Sequence, residues 1–139
     1  MFSRILVPVD LSDRNRAAID AAAELARASS GTALLLHVIE EIEDVPPGEL
    51  EDFYAGLRKR ADRTLEGLRK HLDKAGVTVE AQVRMGKRGP EIVRCAEEER
   101  CDLVVLRSHV LAAKEPMRGI GTVSHQVALA AGCPVLLVR

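Results

Sequence analysis

The sequence predicts a doubly wound α/β domain, a three-layer α/β/α arrangement with a five-stranded parallel sheet as its middle layer. Three observations carry this prediction. Four short runs rich in Val, Leu and Ile (residues 5–9, 33–39, 103–106 and 135–138) are nearly continuous in apolar character, as strands covered on both faces must be. Helical patterns and one further strand pattern fill the gaps between them, giving the order β-α-β-α-β-α-β-α-β. The length of 139 residues suits one domain, expected to span 1–139, which at this size buries about two-thirds of the unfolded chain's surface without staples.

Each element follows from local chemistry. After the first strand, Ser12 is a good N-cap for a helix carrying Ala17, Ala18, Ala21, Ala22, Leu25 and Ala26, with Gly31 behind it. The alanine face lets that helix sit close to a sheet. The second strand gives way to residues 40–52 (EEIEDVPPGELED), which hold seven acidic residues, no basic ones and a Pro-Pro-Gly. This is expected to be an exposed loop of solvated charge leading to a helix N-terminus, where acidic groups suit the helix dipole. It lacks the spaced D-x-D-x-D-G of a calcium loop. Residues 49–75 then place Leu50, Phe53, Leu57, Ala61, Leu65, Leu68 and Leu72 at helical spacing, ending at Gly76. The stretch 77–83 (VTVEAQV) alternates apolar and polar and predicts an edge strand with one wetter face. Pro90 opens a third helix with Ile92, Val93 and Ala96 inward, and residues 121–131 form a fourth, stopped by Gly132 and Pro134.

Composition excludes several function classes. Lys plus Arg number 20 against 21 Asp plus Glu, a formal charge of -1, which argues against a broad basic face for nucleic acid. One Tyr, two Phe and no Trp supply no base-stacking platform. Cys95, Cys101 and Cys133 are odd in number and form no C-x-x-C pair, so they read as small apolar residues rather than disulfides or zinc ligands. The opening MFSRILVPVD is not a signal peptide, and nowhere do eighteen apolar residues run together. A soluble, cytoplasmic protein without membrane attachment is expected.

In an open parallel sheet, ligands bind beyond the carboxyl ends of the strands where the strand order reverses. The candidates are Asp10, Leu11 and Ser12 after the first strand, His37, Val38 and Ile39 at the end of the second, and Arg107, Ser108 and His109 after the fourth. Residues 110–121 (VLAAKEPMRGIG) bring Lys114, Arg118, Gly119 and Gly121 to the amide-rich start of the last helix, which favours an anion. Other constellations fail on spacing. His109 and His125 have no carboxylate at ligand spacing, and His37 at the end of a buried strand reads as a hydrogen-bonded structural residue. Ser108 and His109 are adjacent on a strand and point to opposite faces, so they make no nucleophile–base pair. Gly86-Lys87-Arg88-Gly89 is not a Walker loop, and Gly119-Ile120-Gly121 lacks the third glycine of a dinucleotide fingerprint. The stretch PVDLSD after the first strand is neither the S-G-G-x-D-S loop of an ATP pyrophosphatase nor a flavodoxin-type phosphate loop. Arg84 and Met85 stand where a receiver domain would keep its acceptor aspartate. No catalytic residues and no metal ligands are assigned.

Three stretches resemble the universal stress protein domain. ILVPVDLSDRNRAAIDAAAELA is similar to its first strand and helix, GPEIVRCAEEERCDLVVLRSH to its third helix and fourth strand, and GTVSHQVALAAGCPVLLVR to its last helix and strand. The resemblance implies strand order 3-2-1-4-5, with the switch point between the first and fourth strands. It also implies ATP or another adenine nucleotide as the ligand, since many members bind ATP. Those members carry G-x-x-G, nine residues, then G-(S/T). Here Arg107 and Val110 replace the two glycines, ten residues separate Val110 from Gly121, and only Gly121-Thr122-Val123-Ser124 is intact. A side chain at either glycine position removes the close approach of backbone to phosphate, and Arg107 could offset this with a guanidinium.

By resemblance, Asp10 reaches the ribose or adenine, Pro8, Val9 and Val38 line the pocket, and Gly121 to Ser124 grip the terminal phosphate. The expected function is a non-enzymatic, homodimeric regulatory or stress-response module with weak or lost adenine-nucleotide binding. The alternative is a genuine ATP binder with a rebuilt phosphate loop and slow ATP hydrolysis. The resemblance places the homodimer contact on the last strand, at Val135, Leu136 and Leu137, whose free edge invites another strand. The acidic and basic loops are candidate contacts for an unknown protein partner.

Overall fold

The structure, a computed structural model, describes residues 1–46, 48–108 and 121–139. Nine elements alternate along them: β1 (Arg4–Pro8), α1 (Arg16–Ser29), β2 (Thr32–Ile39), α2 (Glu51–Lys74), β3 (Thr78–Met85), α3 (Arg88–Glu98), β4 (Leu103–Arg107), α4 (Val123–Ala130) and β5 (Val135–Val138). The strands form one parallel sheet in the order β3-β2-β1-β4-β5. β1 therefore has β2 on one side (Ile5 beside Ala33) and β4 on the other (Ile5 beside Leu103). The order reverses there, and a crevice opens at its carboxyl end.

Both faces of the sheet are covered, which is why the inner strands are apolar at consecutive positions. On one face Ile5, Val7, Ala33, Leu35, Leu103 and Val105 pack against Ala18, Ala22 and Ala26 of α1 and Leu65 and Leu72 of α2. On the other, Leu6, Leu34, Leu36, Val104 and Leu106 pack against Ile92, Cys95 and Ala96 of α3 and Val127 of α4. Cys95 and Cys101 are buried, Cys133 is half-buried, and all three are unpaired thiols. Burial pushes the Cys101 thiol up to about 12, so it behaves as a small apolar group.

The N-terminus is tied down by Asp102, whose carboxylate accepts from the amides of Ser3 (2.8 Å) and Arg4 (3.0 Å). α1 ends with Ser30 in the left-handed conformation, and the Gly31 amide bonds back to the Ala26 carbonyl (2.8 Å), a Schellman closure. Gly31 is required at this point for space: a Cβ there would lie 2.5 Å from the carbonyl oxygen of Phe2.

Two expectations need correction. Ser12 does not cap α1. The helix begins at Arg16 with Asn15 in the N-cap position, because Ser12 and Asn15 are both turned towards Asp10. The apolar stripe expected along α2 is buried only from Ala61 onward, while Phe53 in the first turn is exposed and stands beside the Tyr54 ring. Tyr54 Oη accepts from the amide of Ile42 (2.7 Å), fastening the otherwise exposed acidic segment to α2.

The two edges of the sheet differ. β3 carries charged and polar side chains that are engaged: Glu80 with Arg4 (2.9 Å), Gln82 with Glu99 (2.8 Å) and Arg84 with Glu98 (2.9 Å). β5 is four apolar residues long, with Leu136 and Leu137 each 39% exposed.

Candidate functional site

β1 stops at Pro8, and the backbone is still held by the Val9 amide on the Leu36 carbonyl (2.8 Å). His37, buried at the end of β2, bonds through Nδ1 to the Val9 carbonyl (2.9 Å). A carbonyl can only accept, so Nδ1 carries the proton, and His37 is the structural residue expected from its place in the sequence. Asp10 follows in a tight turn. Its Oδ1 accepts from the Ser12 amide (2.9 Å), the Ser12 hydroxyl and Asn15 Nδ2 (2.8 Å). Asn15 is buried and also donates to the Asp10 and Ser12 carbonyls (both 3.2 Å).

Three donors thus converge on one carboxylate oxygen, while Oδ2 has no donor among the described residues. Burial pushes the Asp10 carboxyl up, but the bonds from Ser12 and Asn15, helped by the Arg107 charge, outweigh it and hold the group below its usual value. Asp10 is an ionised acceptor with a free lone-pair face.

Pro8, Val9, Asp10, Val38, Arg107, Thr122, Val123 and Ser124, all candidates on sequence grounds, line one crevice. Its space is about 700 Å³, open mouth included. Gly121 is not in the lining; its carbonyl instead accepts from Gln126 Nε2 (3.2 Å). Thr122 is the N-cap of α4, its Oγ1 accepting from the His125 amide (3.3 Å). His125 itself is half-buried in that helix. His109, Val110, Lys114, Arg118 and Gly119 lie outside the described residues.

Five lining residues were not anticipated: Asn15, Leu36, Arg88, Ile92 and Leu106. Leu36, Ile92 and Leu106 extend the apolar floor, and their core periodicity could have flagged them. Arg88, the first residue of α3, sat in the Gly-Lys-Arg-Gly stretch that fails as a Walker loop. Its relation to the crevice depends on how α3 docks, which no local motif encodes. Among the described residues, no three His, Cys, Asp or Glu side chains gather as a metal site, and no helix is long and apolar enough to cross a membrane.

A doubly wound sheet with a crevice at its switch point, lined by apolar and polar residues, is the α/β architecture in which small ligands commonly bind. The family model described as Universal stress protein family matches residues 1–139, and the chain belongs to that family. Universal stress protein YxiE of Bacillus subtilis (strain 168) is 31% identical over 149 residues, covering 100% of both chains. The structure of MJ0577 superposes with a TM-score of 0.81 at 28% identity, covering 99% of this chain and 96% of that one. The Archaeoglobus fulgidus universal stress protein in complex with dAMP shares the fold, with a TM-score of 0.74 at 23% identity and coverage of 99% and 98%.

Proposed function

We propose that this universal stress protein is a stress-response binding module that holds an adenine nucleoside at the switch-point crevice and grips a Mg-bound triphosphate weakly. The reading treats residues 1–139 as one functional unit working in the cytoplasm. The observation that carries it is Asp10: one oxygen is locked by Ser12 and Asn15, the other is open at a crevice floored by Val9 and Val38. Such a carboxylate suits the hydroxyls of a ribose or the amino group of an adenine, while the apolar floor suits a base. A protein of the same fold was crystallised with dAMP, which agrees with this ligand class. Weak triphosphate binding follows from Arg107 and Val110, which stand where ATP-binding members have glycines.

The site is read as binding without catalysis. A carboxylate held below its usual pKa is a poor general base at neutral pH, and Asp10 is the one carboxylate among the described lining residues. Isothermal titration tests the reading: adenosine binds, and Mg-ATP binds more weakly than roughly 0.1 mM. A low-micromolar Mg-ATP constant overturns the weak-triphosphate part, absence of adenosine binding overturns the nucleoside part, and sustained phosphate release from ATP overturns the non-enzymatic part.

The same proposal includes a two-fold homodimer through β5. Its support is the partial exposure of Leu136 and Leu137, with Val135 half-buried beside them, on a strand that pairs only with β4 among the described residues. Light scattering at micromolar concentration should give twice the chain mass, and the single mass for a Leu136→Glu, Leu137→Glu double variant. A single mass for the unaltered chain removes the dimer.

A further inference from the structure

We propose that Arg88 and Arg107 together form a side-chain phosphate clamp, which makes the crevice selective for a nucleoside monophosphate over Mg-ATP. The proposal rests on the nucleoside reading above and adds which charge the ligand carries and what receives it. Both arginines line the crevice, Arg88 from the first turn of α3 and Arg107 from the end of β4. Neither has a carboxylate within ion-pair distance among the described residues.

The first turn of α3 is held beside that of α4 by close packing. Gly89 is buried, and a Cβ there would meet the Gln126 side chain of α4, which marks how closely the two first turns approach. The two helices lie on the same face of the sheet, with Ile92 and Val127 sharing a core with Leu36 and Leu106. Arg88 is thereby carried to the crevice that Thr122, Val123 and Ser124 also line.

Charge then selects the ligand. In the first turn of α4 the His125 amide is taken by Thr122 Oγ1 and the Gln126 amide by the Thr122 carbonyl. The Val123 and Ser124 amides have no acceptor among the described residues, and the helix dipole points its positive end the same way. Two arginines and these amides belong to a lining whose carboxylate, among the described residues, is Asp10 alone, so the cavity favours an anion. A monophosphate dianion is compact and matches two planar guanidinium donors. A Mg-bound triphosphate needs backbone to approach along its length, and at one of the positions where that happens in ATP-binding members this chain has the Arg107 side chain.

The test compares adenosine, AMP and Mg-ATP by calorimetry on the unaltered protein and on Arg88→Gln and Arg107→Gln. AMP should bind at least about tenfold tighter than adenosine, and tighter than Mg-ATP. Each glutamine variant should weaken AMP by about tenfold while leaving adenosine within about twofold, and the corresponding lysine variants should recover part of the loss. Equal affinities for AMP and adenosine, or AMP affinity unchanged in both variants, overturn the clamp while leaving the nucleoside reading intact. Arginine-dependent AMP binding with no adenosine binding supports the clamp and overturns that reading; binding of neither removes both. Matching melting temperatures for unaltered and variant proteins show that the comparison is made on folded chains.

Discussion

Asp10, just past the end of β1, has one oxygen filled by Ser12 and Asn15. Arg107, at the end of the neighbouring β4, has no hydrogen-bond partner of its own side chain among the described residues. The two positions flank the same switch point, yet one is hydrogen-bonded into its own turn, while the other reaches it among the described residues only through charge, acting on Asp10. On the β1 side the ordering of the binding group is completed during folding, so a ligand meets a fixed acceptor. On the β4 side the long side chain has no hydrogen bond among the described residues, so an anionic ligand would add to the charge that Asp10 already presents to it. The first wall gives geometric selectivity; the second gives an attraction that weakens with salt.

The largest effect should come from the β1 side. Asp10→Ala removes the open acceptor and the anchor of the turn, and adenosine affinity should fall by roughly thirtyfold or more in calorimetry. Unchanged affinity would mean that the fixed carboxylate is not what the nucleoside meets. Next comes the β4 side: Arg107→Gly combined with Val110→Gly restores both glycines and should raise Mg-ATP affinity by about tenfold, read in the same titration. No gain would show that the loop's length, not its side chains, limits the triphosphate.

Asn15→Ala should act on stability more than on binding. It deletes a buried side chain that donates to Asp10, at about 1–2 kcal/mol, seen as a melting temperature lower by roughly 5 °C. The smallest effect is on pH. The Asp10 pKa is depressed in the folded state, so its contribution is complete above the unfolded aspartate value near about 3.9 and is lost as pH falls through the lower folded value. Adenosine binding should therefore be level across neutral and mildly acidic pH in titrations between pH 4.5 and 8. In Asn15→Ala the acid limb should move to higher pH.

Strand positions were legible in the sequence because a two-sided sheet leaves its mark residue by residue. Val135–Val138 matched outright, and Ile5–Val9 differed from the observed β1 by one residue at each end. The alternation in 77–83 correctly gave β3 as an edge with a wetter face. Helix starts were less legible. Ser12 has the chemistry of an N-cap, but its amide and hydroxyl donate to a carboxylate two residues earlier, its Oγ accepts from the Arg14 amide, and the helix starts only at Arg16. For the crevice, residues at the ends of β1, β2 and β4 could be placed from topology alone. Arg88 could not, because its position depends on how α3 docks against α4, where Gly89 meets Gln126 across 36 intervening positions with no local signature. Phe53 was misjudged for a related reason: helical spacing shows which residues share a stripe, not how far the sheet extends beneath it.

The unequal edges of the sheet set a ceiling on assembly. Under the pairing proposed for β5, strand-to-strand annealing uses the one rim that is short and greasy. The opposite rim has Glu80 and Arg84 already committed to neighbours in the same chain, so a third copy finds no second sticky side. Under that pairing, growth by edge addition would stop at two chains, short of an open-ended filament, with neither margin of the sheet hidden.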